Sequence, residues 1–231
     1  MRIIEGGIWM NPKQTAGEKA VEYIQDGMVV GLGTGSTVYW TIQKVGELVK
    51  HGLNIKCIPT SIQTEKLARE LNILLTDFSD ADYIDITIDG ADEVDQDLNL
   101  IKGGGGALLR EKIVASASKK LVIVVDESKI SKTLGGFPLP VEAIPFGFEN
   151  TFNKIQKLGC NPVLRMTEDK TYKTDNGNYI IDCKFEKIED PYNMSIELNR
   201  IPGVVENGLF PNMAEAVIIG QKDGTVNIIT R

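Results

Sequence analysis

The sequence predicts an α/β fold, in which an open parallel sheet is covered by helices on both faces and followed by a second, smaller α+β unit. Three observations lead there. Over the first 130 residues, apolar runs of strand length alternate with segments of helical period. Two glycine-rich loops lead into helices, the first of them directly from a strand. Past residue 133 the alternation gives way to closely spaced strands, a strong turn signal and single helices. The expected domains are 1–133 with 208–231 for the larger sheet, and 134–207 for the small unit.

The elements follow in order. Pro12 precedes a helix over Lys13 to Gln25, where Ala16, Ala20, Val21 and Ile24 form the apolar stripe and Gly27 stands at the C-cap. Met28 to Leu32 reads as a strand that ends in a glycine loop, and Val38 to Val49 as the helix after it, stopping near Gly52. Ile55 to Ile58, Ile73 to Leu75, Tyr83 to Ile88 and Leu121 to Val125 are further strands. Thr64 to Leu71 and Ala107 to Ser118 are the helices between them. Apolar strands separated by helices imply a parallel sheet. In the second part, Val141 to Ile144, Glu149 to Leu158 and Val163 to Met166 read as strand, helix, strand. Asp175-Asn176-Gly177-Asn178 predicts a hairpin joining Thr171 to Thr174 with Tyr179 to Phe185. A helix over Tyr192 to Asn199, the break at Pro202-Gly203 and strands at Val204 to Glu206, Ala216 to Ile219 and Val226 to Ile229 complete the chain. Asp223-Gly224 joins the last two strands.

At 231 residues the chain is long enough to bury a sizeable core, and 42% hydrophobic with 25% charged residues is ordinary globular composition. A net charge of −7 argues against a nucleic-acid partner. Cys57, Cys160 and Cys183 are isolated and odd in number, which argues against a disulfide framework and a zinc site and suits a reducing, cytoplasmic compartment. The opening MRIIEGGIWM has too short an apolar run for a leader, and no run is long enough to span a membrane.

Gly31-Leu32-Gly33-Thr34-Gly35-Ser36-Thr37 passes from strand to helix. Backbone N–H groups and the helix dipole there can hold a phosphate, with hydroxyls from Thr34, Ser36 and Thr37. It fails as a dinucleotide fingerprint, because Ser36 stands at the last glycine position, and as a P-loop, because Gly-Lys-Ser/Thr is missing. The other reading is a tight turn that needs glycine for geometry alone. Asp89-Gly90-Ala91-Asp92-Glu93-Val94-Asp95 puts four carboxylates at the end of an apolar strand, where ligands of open α/β sheets bind. A solvated acidic loop and a metal site are the alternatives, although no EF-hand spacing or histidine accompanies the acids. Lys102-Gly103-Gly104-Gly105-Gly106 feeds a helix whose first turns carry Glu111. Four glycines in a row are costly unless a ligand or backbone approaches closely. Lys129 follows the strand ending at Val125. His51, the single histidine, sits at a helix end, which removes Ser-His-Asp and multi-histidine metal mechanisms.

GLGTGST, IDGADEVD, KGGGGALLREKI and GGFPLPVE, in this order, make the chain resemble ribose-5-phosphate isomerase of type A, from about Lys13 through Asn207-Gly208-Leu209-Phe210 to the end. The resemblance implies an aldose-ketose isomerase with no cofactor and no metal, a Rossmann-like domain with a lid-like α+β domain, a pentose phosphate substrate, and a homodimer or homotetramer. It also implies roles by matching position. Glu111 is the expected base, assisted by Asp89 and Lys102; Thr34, Gly35, Ser36, Thr37, Gly90, Ala91, Asp92, Gly103, Gly104, Gly105 and Lys129 are expected to bind substrate beside Asp89 and Lys102. The chain departs from the pattern where KGGGGA replaces the KGGGAA of many relatives and where LGGFPLP lacks a lysine before Phe137. Residues 1–9 have no counterpart, so Met10 is an alternative start.

Moving a carbonyl from C1 to C2 needs one C2 proton removed, an enediolate stabilised and a proton returned to C1, tasks suited to a carboxylate beside cationic and N–H donors. A non-catalytic sugar-phosphate sensor would not need Asp89, Lys102 and Glu111 together. A coenzyme A transferase would use a glutamate as nucleophile, and the short chain counts against it.

Overall fold

The computed structural model describes residues 11–231, so the expectations for residues 1–9 and Met10 lie outside the described residues. In chain order the first elements are α1 (Pro12–Ala20), β1 (Val29–Leu32), α2 (Val38–Lys50), β2 (Lys56–Pro59), α3 (Ile62–Glu70), β3 (Ile86–Gly90), β4 (Glu93–Val94), β5 (Leu100–Ile101), α4 (Leu108–Ser116) and β6 (Leu121–Asp126). They are followed by β7 (Leu139–Ala143), α5 (Phe148–Gln156), β8 (Asn161–Leu164), β9 (Met166–Thr167), β10 (Lys170–Thr171), β11 (Tyr179–Lys184), α6 (Pro191–Asn199), β12 (Val204–Asn207), β13 (Leu209–Phe210), β14 (Ala216–Gly220) and β15 (Val226–Thr230). The chain divides into two compact units. One holds the described residues up to Gly90 with Ile113–Ile130 and Ala214–Arg231, and the other holds Ala91–Lys112 with Ser131–Met213.

The first unit is built on a six-stranded sheet of order β15-β14-β6-β3-β1-β2, parallel except for the edge strand β15. Its strands are apolar on both faces because both faces are covered: on one, Val30, Leu32, Ile86, Ile88, Val122, Val124 and Ile218 are buried with Ala16 and Ala20 of α1 and Val38, Ile42 and Val45 of α2, and on the other Ile58 of β2 packs with Val114 of α4. Asn11 caps α1 by accepting from Lys13 N at 3.1 Å, ahead of Pro12, and Ser61 caps α3 by accepting from Thr64 N at 3.0 Å. Those caps start both helices earlier than the apolar periodicity suggests. The expected strand at Ile73 to Leu75 reduces to one bridge between Leu75 and Cys57. The chain leaves β1 toward β2 on one side and returns as β3 on the other. The carboxyl ends of β1 and β3 therefore flank the switch point where open sheets bind ligands.

The second unit holds a four-stranded antiparallel sheet, β12-β7-β11-β8, a three-stranded one, β13-β5-β4, and a small hairpin of β9 and β10. Leu139, Val141, Ile155, Ile181, Cys183, Leu198 and Leu209 are buried in its core. Two expectations are corrected here. Residues 171–174 do not pair with β11; β11 pairs with β8 and β7, and β10 folds back on β9. The physical reason is Glu142, buried on β7, whose Oε1 accepts from Thr174 Oγ1 at 2.9 Å, Asn178 Nδ2 at 2.9 Å and Asn176 Nδ2 at 3.3 Å. The Asp175-Asn176-Gly177-Asn178 turn closes through Thr174 N to Asn178 O at 2.9 Å and wraps the Glu142 carboxylate, but the pairing does not continue into β11. The second unit also takes in Ala91–Lys112, expected in the larger domain, because β5 pairs with β13 as well as β4.

Candidate active site

In the first unit the residues after β1 and β3 hold one another. Gly33 N donates to Ile88 O at 2.9 Å, and Asp89 Oδ1 accepts from Thr34 N at 3.0 Å and Gly90 N at 2.7 Å. Asp89 is fully buried. The approach is so close that a Cβ on Gly33 would lie 2.0 Å from Asp89 Oδ1, which is why glycine stands there; Gly35 is glycine for a different reason, its φ of +122°. Thr34 Oγ1 sits within 2.8 Å of Thr60 Oγ1 and Ser61 Oγ, and Thr64 Oγ1 donates to Gly33 O at 2.8 Å, so the loop is braced by hydroxyls of the β2–α3 connection. Thr37 is buried at the N-terminus of α2, where unsatisfied N–H groups and the dipole favour an anion. Lys129 ends a single 3₁₀ turn, Glu127–Lys129, after β6, the parallel neighbour of β3, and so lies beyond the same sheet edge.

One residue here escapes sequence reasoning. Lys13 Nζ, from α1, donates to Ser36 Oγ at 2.9 Å and places an ammonium on the glycine loop. Its only sequence signal is a lysine in the first turn of a helix, where the dipole disfavours a cation.

In the second unit Lys102 and Glu111 form a buried ion pair, Nζ to Oε1 at 3.0 Å, with side chains 1% and 5% exposed. Asp92 Oδ2 accepts from Gly104 N at 2.7 Å, and Ala91 precedes it at the start of the unit. The glycine run is enclosed by side chains. A Cβ on Gly104 would lie 2.5 Å from Asp92 Oδ1, and one on Gly106 would lie 2.1 Å from the Tyr172 hydroxyl. Arg165 donates to the carbonyls of Gly103 at 3.1 Å and Gly104 at 3.0 Å while its guanidinium grips Asp182, and Tyr172 Oη donates to Gly105 O at 3.3 Å. These donors hold the carbonyls of residues 103–105 and so orient the peptide planes ahead of α4.

The flanks of Glu111 are tied down as well. Arg110 reaches Asn176 Oδ1 at 3.1 Å, and Lys112 Nζ donates to Glu206 Oε1 at 2.9 Å and Asn207 O at 2.6 Å. Burial pushes the Glu206 carboxyl up, but Lys112 with the Asn207 N–H and the Asn199 amide outweighs it and leaves the group below its ordinary value. For Lys112 burial dominates and lowers its pKa despite Glu206.

The acidic run separates into different tasks. Glu93 accepts from the N–H groups of Gly135, Gly136 and Phe137 at 3.0, 3.2 and 3.0 Å, and Asp95 caps its own turn through Asn99 N at 2.8 Å. Both carboxylates are structural, and GGFPLP is the segment that receives Glu93. His51 accepts no such role; its Nδ1 meets Glu47 O at 2.8 Å at the end of α2. Among the described residues no group of three or more His, Cys, Asp or Glu is placed to hold a metal ion, and no helix is long and apolar enough to cross a membrane.

A sequence model of the family described as Ribose 5-phosphate isomerase A (phosphoriboisomerase A) matches residues 56–224. The chain belongs to this family. It is 59% identical over 216 residues to the ribose-5-phosphate isomerase A of Bacillus cereus, an alignment covering 93% of this chain and 98% of that one. With the protein of the same name from Dinoroseobacter shibae it is 48% identical over 224 residues, covering 94% and 86%. Among solved structures, the ribose 5-phosphate isomerase of Plasmodium falciparum superimposes with a TM-score of 0.92 at 43% identity, over 95% of this chain and 98% of that one. A D-ribose-5-phosphate isomerase in complex with phospho-erythronic acid gives 0.93 at 43% identity, over 96% and 100%. The α/β fold with a parallel central sheet is the fold of this family.

Proposed function

We propose that the chain interconverts D-ribose 5-phosphate and D-ribulose 5-phosphate through an enediolate, with Glu111 as the proton-transferring base. The buried Glu111–Lys102 pair at 3.0 Å carries this reading, because a carboxylate and an ammonium held together by the fold are the two groups that the reaction needs on its carbon and its oxygen. Glu111 takes the C2 proton and returns it to C1. Lys102 faces the oxygen on which negative charge develops. Asp89 moves the proton that opens the furanose ring, and Asp92 and the glycine run Gly103, Gly104 and Gly105 line the sugar.

The phosphate is held by Thr34, Gly35, Ser36 and Thr37 at the start of α2, with Lys129 and Lys13 as counter-charges. Holding the remote phosphate fixes the reacting carbons against the base, which is worth far more than its own contact energy. We also propose that the enzyme works in the cytoplasm as a homodimer or homotetramer; three cysteines, all buried and free, suit a reducing compartment, and light scattering tests the assembly.

The test is ketose formation from ribose 5-phosphate in excess chelator, with wild type and Glu111→Gln side by side. The wild type should turn over fully, and the variant should lose roughly 10²- to 10⁴-fold in kcat while still binding phosphate. Near wild-type turnover by the variant would remove Glu111 as the base.

A further inference from the structure

Two lysines of the second unit share one aromatic ring. Phe210, fully buried on β13, has its ring centroid 5.5 Å from Lys102 Nζ and 4.8 Å from Lys112 Nζ. Each ammonium also has its own carboxylate, Lys102 with Glu111 at 3.0 Å and Lys112 with Glu206 at 2.9 Å. The ring's place is set by backbone. Phe210 lies opposite Leu100 in the β13–β5 pairing and Leu209 opposite Ile101, while Lys102 N donates to Gly208 O at 2.9 Å. A Cβ on Gly208 would come 2.3 Å from Lys102 O, so glycine is needed for that approach.

We propose that Phe210 is a positioning residue of the isomerase reaction, whose π face holds the Lys102 ammonium beside Glu111 and apart from the Lys112–Glu206 pair. This rests on the reading of Glu111 as base and Lys102 as its cationic partner. When Glu111 accepts the C2 proton it becomes neutral, and its attraction for the Lys102 ammonium falls at the moment the substrate oxygen gains charge. The ring face carries negative electrostatic potential that does not titrate, so it attracts the ammonium before and after proton transfer alike. A buried aliphatic side chain in the same place would supply volume without that attraction. Lys112, neutralised by Glu206 and fastened to Asn207 O at 2.6 Å, occupies the other cation contact of the ring and leaves Lys102 for the substrate.

The experiment replaces Phe210 in the full-length protein with mono-, di- and trifluorophenylalanine, which withdraw electron density from the ring face with little change in size. It measures kcat, KM and melting temperature for each variant, alongside Phe210→Leu. We expect kcat to fall stepwise with fluorination, reaching roughly tenfold for the trifluoro ring, with KM held within about twofold and the melting temperature not following the series. A kcat that stays flat across the series, or falls only as the melting temperature falls, would overturn the proposal and leave Phe210 as core packing. Phe210→Leu should share the kcat defect; if it fails to fold, the fluorinated series still decides. Glu111→Gln in the same assay separates the two levels. Loss of turnover there with a flat fluorination series removes Phe210 alone, whereas wild-type turnover there removes the base assignment and this proposal with it.

Discussion

Replacing Gly33 by alanine tests whether the glycine loop is shaped by Asp89. Gly33 lacks a left-handed φ, so alanine there costs nothing in backbone conformation; its methyl, however, would lie 2.0 Å from Asp89 Oδ1, 2.3 Å from Asp89 Cγ and 2.6 Å from Asp89 Cα. Carbon atoms rest at about 3.5–4 Å, so relief demands a shift of more than 1 Å or so, and the Cα belongs to β3, which cannot rotate aside. Overpacking of this kind costs about 1–3 kcal/mol, and losing the Thr34 N–Asp89 hydrogen bond adds about 1–3 more. A total near 2–6 kcal/mol lowers the melting temperature by roughly 4–24 °C in a chain of this size. Calorimetry and the isomerase assay would both read it, and displacement of the loop by about 1 Å should lower kcat/KM on the order of 10²-fold. Gly35→Ala is the contrast. Its Cβ meets nothing within 4 Å, so its cost of about 1–2 kcal/mol comes from the φ of +122° alone. Wild-type melting and activity in Gly33→Ala would refute the close approach on which this account of the loop depends.

Lys13→Ala and Lys129→Ala should each mainly raise KM, because the phosphate is anionic in ground and transition states alike, whereas Lys102→Ala should lower kcat and kcat/KM by similar factors; steady-state kinetics with phosphate titration by calorimetry checks the split. Glu206→Gln should destabilise the protein by about 1.5–3 kcal/mol near pH 7. Its carboxyl lies below the ordinary value of 4.5 in the folded state, so it stabilises above that value and loses the contribution as pH falls through its folded pKa. The gap between variant and wild type in urea midpoint should therefore narrow on acidification below about pH 4.5.

How far the sequence could be read depended on the range of the interactions. The alternation of apolar runs and helical stripes is local, and it placed β1, α2, β2, α4 and β6 within a few residues of their observed bounds. The glycine runs stood out because glycine is costly without a reason, and the reasons are contacts: Asp89 against Gly33, Asp92 against Gly104, Tyr172 against Gly106. What stayed hidden depends on partners far along the chain. Nothing near Glu93 says that its carboxylate is received by the amides of residues 135–137, and nothing near Asn178 says that the turn will wrap Glu142 without the pairing continuing into β11. Lys13 meets Ser36 across 23 positions, and Phe210 reads as one more apolar residue until two ammonium groups are found against it.

In the proposed reaction the Glu111 carboxylate, held at 3.0 Å from Lys102, removes and returns the proton at the reacting carbons. Following ribose 5-phosphate in deuterium oxide by proton NMR tests it most directly. The wild type should wash out the C2 proton of the aldose during isomerisation, and a folded, phosphate-binding Glu111→Gln should lose exchange and isomerisation together. Exchange persisting at the wild-type rate in that variant would contradict this role of Glu111 and move the base elsewhere.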